Sequence, residues 1–278
     1  MSECTEPDVA NVAGTLGLPV PASERRVNTG PVAHVVEGLV LAAGAGRRLR
    51  PHTDRLPKTL VPLADGSTVL ERILKNFRAN DVRAASIVVG YCAEAVSSRL
   101  DALEAATGLR LSLIHNDHAE DRNNAYSLWC AREVLARGAL LVNGDTLHSS
   151  DVQQRLLAGP APMSIRLAID DRKRLGDEEM KVTLDSGGLL VDISKSLPHD
   201  SSGEYIGVAV VPRTAAGQLI EALERVWLAD DSQFYEAAFR ELARNGCSIE
   251  ARSIGVTDWI EIDSGDDLLR ANELICRS

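Results

Sequence analysis

The hydrophobic pattern of the N-terminal half alternates between two kinds of segment. Short, continuous apolar runs predict strands at residues 35–41, 85–90, 109–114 and 139–145. Apolar residues at helical spacing predict helices at residues 67–81, 93–106 and 123–135. Strands without a polar face suit a parallel sheet that is covered on both faces. The alternation of such strands with crossover helices predicts right-handed βαβ units and a doubly wound sheet.

The helix predicted at residues 67–81 has the clearest pattern. Its apolar positions are Leu70, Ile73, Leu74 and Phe77. They recur at the spacing of one helix face, which predicts that this face packs on the sheet. Thr68 is followed three residues later by Glu71, and this pair predicts a capping box at the start of the helix.

After Asp145 the strand-like segments lie closer together. They occupy residues 163–170, 179–185, 189–195 and 205–211. The sequence DSGG at 185–188 predicts a hairpin turn between the second and the third. This region is therefore expected to pair in antiparallel or mixed fashion.

The last part of the chain returns to helices and single strands. Helices are predicted at 214–228 and 233–245, a strand at 248–254, and a strand, turn and helix at 259–275. In the last helix Ser264 is the expected N-cap, and Asp266 and Asp267 fall in the first turn, where the helix dipole favours them. The whole pattern predicts an α/β fold: a doubly wound, mostly parallel mixed sheet flanked by helices, with an antiparallel part in the C-terminal half.

Composition narrows the class of protein. The chain has 278 residues, of which 45% are hydrophobic and 25% charged, and a formal net charge of -10. These values suit one large globular domain, and the acidic balance argues against a nucleic-acid or anionic-membrane partner. No apolar run approaches the roughly 20 residues of a membrane span. The 5 cysteines are scattered without a C-x-x-C pair, which favours a reducing cytoplasm over disulfides or a zinc site.

Residues 1–32 differ from the remainder. They mix small, polar and proline residues without a periodic apolar face, and acidic residues stand where a signal peptide needs basic ones. We interpret this segment as a mobile N-terminal extension. A single domain is then expected over residues 33–278.

A glycine-rich stretch follows the first predicted strand. In LAAGAGRRLRP, residues 41–51, Gly44 and Gly46 can direct backbone N–H groups at phosphate oxygens, since no Cβ blocks the approach. The dinucleotide fingerprint requires a third glycine where Leu49 stands, and the Walker A loop requires a Gly-Lys-Ser/Thr that is absent. Both of these phosphate loops are therefore excluded.

The longer string does fit one family. It reads Leu-Ala-Ala-Gly-x-Gly-x-Arg-Leu-x-Pro from residue 41, then Thr53, then Pro-Lys-x-Leu-x-Pro from residue 57. It resembles the signature of the nucleoside-triphosphate-dependent nucleotidyltransferases, which make NDP-sugars and CDP-alcohols. The resemblance implies a Rossmann-like nucleotide-diphospho-sugar transferase fold with an NTP-binding half at 33–150 and an acceptor-binding half at 151–278. The loop residues implied to bind the NTP are Leu41, Ala42, Ala43, Gly44 and Gly46.

The same resemblance assigns two catalytic cations. Arg48 is expected to hold the triphosphate and the departing pyrophosphate, and Lys58 the α-phosphate and the incoming acceptor phosphate. Fixed cations suit this task because two polyanions must approach each other in a partly closed site. The remaining arginines of the stretch do not fall on matched positions and are expected to form a solvated basic rim. They are Arg47, Arg50 and Arg55.

A triphosphate substrate calls for Mg²⁺, which carboxylates hold together with phosphate oxygens. Asp145 ends a predicted core strand, where ligands bind in open α/β sheets; alternatively it only ends the strand at a turn. The resemblance implies Asp145 as the first metal ligand and Asp263, in the sequence DWIEID, as the second. Glu261 lies two residues earlier on the same strand face. Other candidates for the second ligand are Asp258, Asp266 and Asp267.

Four further segments resemble one branch of the family. This branch contains the bacterial choline-phosphate cytidylyltransferases and relatives that activate inositol phosphate or aminoalkylphosphonates. The segments that are similar to it are NNAYSL at 123–128, GDEEMK at 176–181, GEYIGVAVV at 203–211 and FYEAAF at 234–239. Asn124 and Ser127 either contact the base or ribose or cap their helix. The residues implied to bind the acceptor are Lys181, Lys195 and Glu204.

The expected reaction is transfer of CMP from CTP to a small phosphate or phosphonate, with release of pyrophosphate. The acceptor is phosphocholine-like, an aminoalkylphosphonate or a polyol phosphate. Alternatives are a sugar-1-phosphate nucleotidyltransferase that uses UTP, dTTP or GTP, and a non-catalytic nucleotide-sensing homologue. A choline-type head group favours an aromatic cage, whereas a Trp is most often part of a core. Candidates for such a cage are Trp129, Tyr205, Trp227, Tyr235 and Trp259.

Overall fold

The computed structural model describes Met1 and residues 37–277. The N-terminal extension expected at residues 1–32 lies outside the described residues, apart from Met1. Val35 and Val36, the start of the first predicted strand, lie outside them as well. None of the described helices is long and apolar enough to cross a membrane.

The described residues form the following elements. The strands are β1 (Glu37–Ala42), β2 (Ala84–Val89), β3 (Arg110–His115), β4 (Ala139–Asn143), β5 (Thr146–His148), β6 (Ile165–Asp170), β7 (Lys181–Leu184), β8 (Leu190–Ser194), β9 (Gly203–Val211), β10 (Ile249–Ser253) and β11 (Trp259–Glu261). The helices are α1 (Val69–Ala79), α2 (Ala93–Ser97), α3 (Leu100–Thr107), α4 (Asn124–Cys130), α5 (Arg132–Leu135), α6 (Ser150–Leu157), α7 (Arg213–Ala229), α8 (Glu236–Arg244) and α9 (Gly265–Arg277). Short 3₁₀ turns lie at Arg47–Leu49 and Lys58–Leu60.

One large sheet organises the molecule. Its strand order is β10-β6-β9-β4-β1-β2-β3. β4, β1, β2 and β3 run parallel, whereas β9 is antiparallel to both β4 and β6. β7 pairs with β9 and β8 in antiparallel fashion, as expected from the DSGG turn. The predicted fold class, a mostly parallel mixed sheet with an antiparallel part, is confirmed.

Both faces of the sheet are covered. On β1, Val40 packs into the apolar layer with α1, and Leu39 into the layer with α7 and α8; both side chains are fully buried. This two-sided burial is the physical reason why the central strands carry no polar face. β4 and β9 pair with each other although they lie on opposite sides of the boundary expected after residue 150. The division into an NTP-binding half and an acceptor-binding half stays a prediction.

A second, two-stranded ladder joins distant parts of the chain. β5 follows β4 directly, and β11 lies close to the C-terminus; they pair antiparallel, with Glu261 opposite Thr146 and Trp259 opposite His148. Neither β5 nor α6 was predicted. β5 has only three residues, and its partner strand is remote in sequence, so no local pattern reveals it.

The predicted helices are present, with two breaks. The segment at 93–106 is divided into α2 and α3, and the segment at 123–135 into α4 and α5 at the buried residue Ala131. At the start of α1 the Thr68 hydroxyl accepts a hydrogen bond from the Glu71 N–H at 3.2 Å. At α9 the Ser264 hydroxyl accepts one from the Asp267 N–H at 3.3 Å. Both predicted N-caps are therefore confirmed.

Candidate active site

A cleft opens where the parallel strands β1 and β4 end, the edge at which open α/β sheets bind ligands. The glycine loop after β1 forms one wall. Leu41, Ala43, Gly44 and Gly46 line the cleft, whereas Ala42, between them, packs into the core. Four of the five loop residues expected to bind the NTP thus face this space, and Ala42 supports them from behind.

Gly46 brings this loop against Lys58. Its φ of 57° lies in the left-handed region, which favours glycine. A Cβ at this position would lie 2.9 Å from the Lys58 Cβ and 3.3 Å from the Thr53 Cγ2. The Thr53 hydroxyl donates a hydrogen bond to the Gly46 carbonyl at 2.9 Å. The glycine is therefore required both by backbone conformation and by the close approach of the lysine segment.

Two close contacts place Asp145 at the floor of the cleft. The Gly144 N–H donates to the Leu41 carbonyl at 2.8 Å. A Cβ on Gly144 would lie 2.5 Å from that same oxygen. On the other side, the Ile262 N–H donates to the Asp145 carbonyl at 3.0 Å, continuing the β5–β11 ladder. The ladder brings Asp263 beside Asp145, although the two are far apart in sequence.

These two carboxylates surround Lys58. Its ammonium lies 2.7 Å from an Asp145 oxygen and donates a hydrogen bond to Asp263. The Arg48 guanidinium pairs with the other oxygen of Asp263. Burial alone lowers the pKa of Lys58, but the charges of Asp145 and Asp263 outweigh it and hold this pKa above its ordinary value. Lys58 is therefore a fixed cation at neutral pH.

A third carboxylate completes this group. Oxygens of Asp145, Glu261 and Asp263 all lie within 4.8 Å of one another. Burial, together with the charges of Asp145 and Asp263, raises the pKa of Glu261 to about 8. One buried oxygen of Asp145, Oδ1, has no hydrogen-bond partner among residues 37–277. Three clustered carboxylates with an unsatisfied oxygen fit a hard divalent cation such as Mg²⁺. Sequence reasoning noted Glu261 on this strand face but gave it no role; its spacing of two from Asp263 was the available signal.

The α4 residues occupy the opposite wall. The N-cap is Asn123, whose side chain accepts from the Asn124 N–H at 2.7 Å. The Asn124 side-chain oxygen accepts from the Tyr235 N–H at 2.8 Å, and the Ser127 hydroxyl accepts from Asn116 at 2.9 Å. Asn124 and Ser127 both line the cleft, so neither caps the helix and both fix its position.

The three residues expected to bind the acceptor lie in different surroundings. Lys195 lines the cleft, with Glu178 at 3.7 Å as a loose ion-pair partner. Glu204 is buried beside an adjoining pocket and pairs with Lys173 at 2.7 Å.

The position of Lys181 differs from the expectation that this residue binds the acceptor. It is 1% exposed, and its ammonium donates to the Gly176 carbonyl at 2.6 Å, with the carbonyls of Asp177 and Glu179 at 3.5 and 3.4 Å. These main-chain oxygens occupy the ammonium, so it is not available to an acceptor phosphate. Its role in the structure is to hold the turn before β7.

The candidate aromatic residues do not form one cage. Trp129 and Trp227 pack together with ring centroids 5.2 Å apart, and the Trp259 indole N–H donates to Asp170 at 2.9 Å beside the adjoining pocket. The hydroxyl oxygens of Tyr205 and Tyr235 lie 3.0 Å apart and form a hydrogen bond under the cleft. The aromatic residues thus lie in three separate places.

Comparison with known proteins identifies the family. The family model described as a MobA-like NTP transferase domain matches residues 38–235. The chain belongs to this family. The resemblance to nucleoside-triphosphate-dependent transferases, first indicated by the glycine loop and Lys58, is thereby confirmed. The matched region contains every cleft residue described above except Glu261 and Asp263.

Two curated relatives are similar to this member of the family. The CMP-5'-(3-aminopropyl)phosphonate synthase of Streptomyces rubellomurinus is 27% identical over 259 residues, which are 90% of this chain and 40% of that protein. The choline-phosphate cytidylyltransferase of Streptococcus pneumoniae is 37% identical over 108 residues, 38% of this chain and 43% of that protein. The chain thus spans less than half the length of these two relatives.

Solved structures share the fold. The inositol-1-phosphate CTP transferase from T. maritima aligns with a TM-score of 0.73 at 23% identity, covering 90% of this chain and 97% of that one. The CTP:phosphocholine cytidylyltransferase from Streptococcus pneumoniae aligns with a TM-score of 0.67 at 21% identity, covering 87% and 99%. At these identities the likeness establishes the fold alone.

Proposed function

We propose that this family member is a nucleotidyltransferase that transfers CMP from CTP to a small phosphate or phosphonate and releases pyrophosphate. The observation that carries the proposal is the meeting of Arg48 and Lys58 with Asp145 and Asp263 at the carboxyl ends of β1 and β4. Cations and carboxylates in one cleft suit the joining of two polyanions, because each charge that develops has a fixed partner.

In the proposed reaction an oxygen of the acceptor phosphate or phosphonate attacks the α-phosphorus of the nucleotide. A new P–O bond forms there, and the bond from the α-phosphorus to the bridging oxygen breaks. That oxygen leaves with the electron pair as part of pyrophosphate. Lys58 offsets the charge on the reacting phosphoryl group, and Arg48, whose side chain is 63% exposed, reaches the outgoing pyrophosphate. Positioning and charge stabilisation account for such catalysis without a covalent intermediate.

Asp145, Glu261 and Asp263 are the proposed ligands of a divalent cation, with Mg²⁺ favoured. When bound, it would supply charge neutralisation for the triphosphate. Lys58 holds two of these carboxylates in the structure described above. Its flexible side chain is therefore close enough to pass from the carboxylates to a substrate phosphate.

The preference for CTP rests on similarity. The relatives named above are a CMP-phosphonate synthase and a choline-phosphate cytidylyltransferase, and one similar fold is a CTP transferase that acts on inositol 1-phosphate. The alternative is a sugar-1-phosphate nucleotidyltransferase, since an N-acetylmuramate alpha-1-phosphate uridylyltransferase of Caulobacter vibrioides is 39% identical over 79 residues. A cytoplasmic location is part of the proposal.

Pyrophosphate release distinguishes these functions. CTP, UTP, dTTP and GTP are each incubated with Mg²⁺ and with phosphocholine, 2-aminoethylphosphonate, inositol 1-phosphate or glucose 1-phosphate. Release with CTP and one of the first three acceptors is expected. Release only with a sugar phosphate and another nucleotide would favour the alternative. Nucleotide binding without release from any acceptor would favour a non-catalytic, nucleotide-sensing protein.

Two variants with one control test the site residues. Lys58→Ala and Arg48→Ala should each lower turnover by about a hundredfold or more, the usual loss for one preorganised charged group. Arg50→Ala is the control, because Arg50 lies on the same loop but pairs loosely with Asp54 on the surface, at 3.6 Å. Its turnover should stay within about twofold of the unmodified protein. Normal turnover in folded Lys58→Ala would contradict the assignment.

A further inference from the structure

Asn143 is a cleft residue that has no role in the site described above. It ends β4, two residues before Asp145, and it lines the cleft. In the sheet, β4 lies between β9 and β1, and β1 leads into the glycine loop. A side chain at this end of β4 can therefore face either the nucleotide side of the cleft or the side that belongs to β9.

The Asn143 side chain leans towards β9. A Cβ on Gly207 of β9 would lie 2.5 Å from the Asn143 Nδ2 and 2.8 Å from its Cγ, and the Gly207 φ of 76° also favours glycine. Only glycine leaves room for the amide here. Lys195 follows β8, which reaches β9 through β7. The amide thus lies on the same side of the cleft as the lysine that is expected to bind the acceptor.

Two buried tyrosines fix the direction of the amide. The Tyr235 hydroxyl donates to the Asn143 Oδ1 at 2.9 Å, and the Tyr205 hydroxyl lies 3.0 Å from that of Tyr235. Within the described part of the chain, the Tyr205 hydroxyl has no second partner, so it donates to Tyr235. With the amide turned round, one of the two hydroxyl protons would lack an acceptor, which is costly in a buried place. Asn143 therefore keeps its oxygen on the tyrosines and its nitrogen away from them.

The Asn143 amide nitrogen is open to the cleft. It has no hydrogen-bond acceptor among residues 37–277, and it is not one of the enclosed polar atoms there, in contrast to Oδ1 of Asp145. Its N–H groups are therefore able to donate to a substrate. Because the tyrosines hold the oxygen and Gly207 leaves the space, the direction of these donors is fixed before a ligand binds.

We infer that Asn143 binds the acceptor: its amide N–H groups donate to an anionic oxygen on the acceptor phosphorus, one that does not attack the nucleotide. This inference rests on the proposed function. Asp145, a proposed metal ligand, is two residues away, so an acceptor phosphate on Asn143 lies next to the reacting α-phosphoryl group. Tyr205 and Tyr235 are positioning residues, since they act through the amide.

Asn143 supplies what Lys195 does not. The Lys195 ammonium is a point charge on a flexible side chain that is 39% exposed. It attracts an anion without fixing the orientation of that anion. A planar amide that is held at one end by Tyr235 donates along fixed directions, and in-line attack requires an oriented acceptor. The lysine therefore contributes mainly attraction, and the asparagine mainly orientation.

Three variants separate the donor from the network that holds it. Asn143→Ala removes the amide. Asn143→Asp still accepts from the Tyr235 hydroxyl but replaces the donor with a negative oxygen. Tyr235→Phe removes the hydroxyl and keeps the main-chain N–H that donates to Asn124, so the nucleotide wall is preserved. Tyr126→Phe is the matched control, because its ring packs against Trp227 and it is not among the residues that line the cleft.

The measurement is the initial rate of pyrophosphate release from CTP by the full-length protein. The acceptor is whichever of phosphocholine, 2-aminoethylphosphonate, inositol 1-phosphate and glucose 1-phosphate reacts fastest. Asn143→Ala should raise the KM for the acceptor about tenfold or more, the usual loss for a hydrogen bond to a charged group. Asn143→Asp should raise it further, because the new carboxylate repels the acceptor phosphate. Tyr235→Phe should raise it about three- to tenfold, since the amide is still present but no longer held.

The KM for CTP should stay within about threefold of the unmodified value in all three variants, and both KM values within about twofold in Tyr126→Phe. A rise in the KM for CTP with an unchanged KM for the acceptor would place Asn143 at the nucleotide and overturn the inference. Equal rises in both KM values, or no change in either, would overturn it as well. Release by the unmodified protein keeps these outcomes apart from a failure of the proposed function. Without release from any nucleotide and acceptor, the proposed function and this inference fall together.

Discussion

The buried carboxylate of Glu236 makes stability depend on pH in a direction that the structure fixes. Its pKa rises from an ordinary 4.5 to about 7 because of burial. Below pH 4.5 the group is protonated in the folded and the unfolded chain, and it costs nothing. Between these two pKa values the unfolded chain loses the proton first, so stability falls as pH rises. Above about pH 7 the full cost is in place.

Glu236→Gln removes this cost because glutamine does not ionise. The separation between 4.5 and about 7, at about 1.4 kcal/mol for each pH unit, corresponds to about 3 kcal/mol. At about 2–4 °C for each kcal/mol, the variant should melt roughly 6–12 °C above the unmodified protein at pH 8.5. At pH 4.5 the two should melt together. Tyr235 and Lys195 favour the ionised form of Glu236 and Asp145 opposes it, and the pKa of about 7 already includes these effects.

The measurement is thermal unfolding by circular dichroism, without nucleotide and in the presence of a chelator, from pH 4.5 to 8.5. Glu178→Gln serves as the control, since its side chain is 81% exposed, and this variant should not share the gain in melting temperature. A difference for Glu236→Gln that is the same at pH 4.5 and 8.5, or that shrinks as pH rises, would refute the reasoning.

Three further predictions concern other parts of the molecule. Gly46→Ala places a Cβ 2.9 Å from the Lys58 Cβ and should lower turnover at least tenfold; Gly66→Ala, also at positive φ but with no atom within 4 Å, should cost stability by about 1 kcal/mol without lowering turnover. Glu261→Gln should weaken Mn²⁺ binding to the free protein about tenfold or more in electron paramagnetic resonance titrations; unchanged affinity would exclude it as a ligand. Thr68→Ala should lower the free energy of unfolding in urea by about 1 kcal/mol, through loss of the N-cap, and leave kcat/KM unchanged; an equal loss of activity would mean that α1 affects the cleft.

The sequence by itself determined the features that depend on near neighbours in the chain. Apolar runs located the central strands because burial on both faces leaves no place for polar side chains. The order of the glycines, Arg48 and Lys58 resembled the signature of a nucleotidyltransferase family, and this signature lies within one short stretch of the chain. Asp145 was recognisable as a strand-end carboxylate for the same reason. The N-caps Thr68 and Ser264 followed from hydrogen bonds that span three residues.

Only the tertiary structure decided which distant groups meet and which side chains face the cleft. The family resemblance already implied Asp145 and Asp263 as partners. The β5–β11 ladder that joins them and adds Glu261 pairs strands so remote in sequence that no periodic signal reveals it. Lys181, a reasonable cation in the sequence, is held by main-chain carbonyls, because the turn before β7 folds back over it. Nothing in the sequence singles out Glu236, and only the packing of α8 encloses it. Local pattern sets where elements form, whereas burial and long-range contact set what each charged group is able to do.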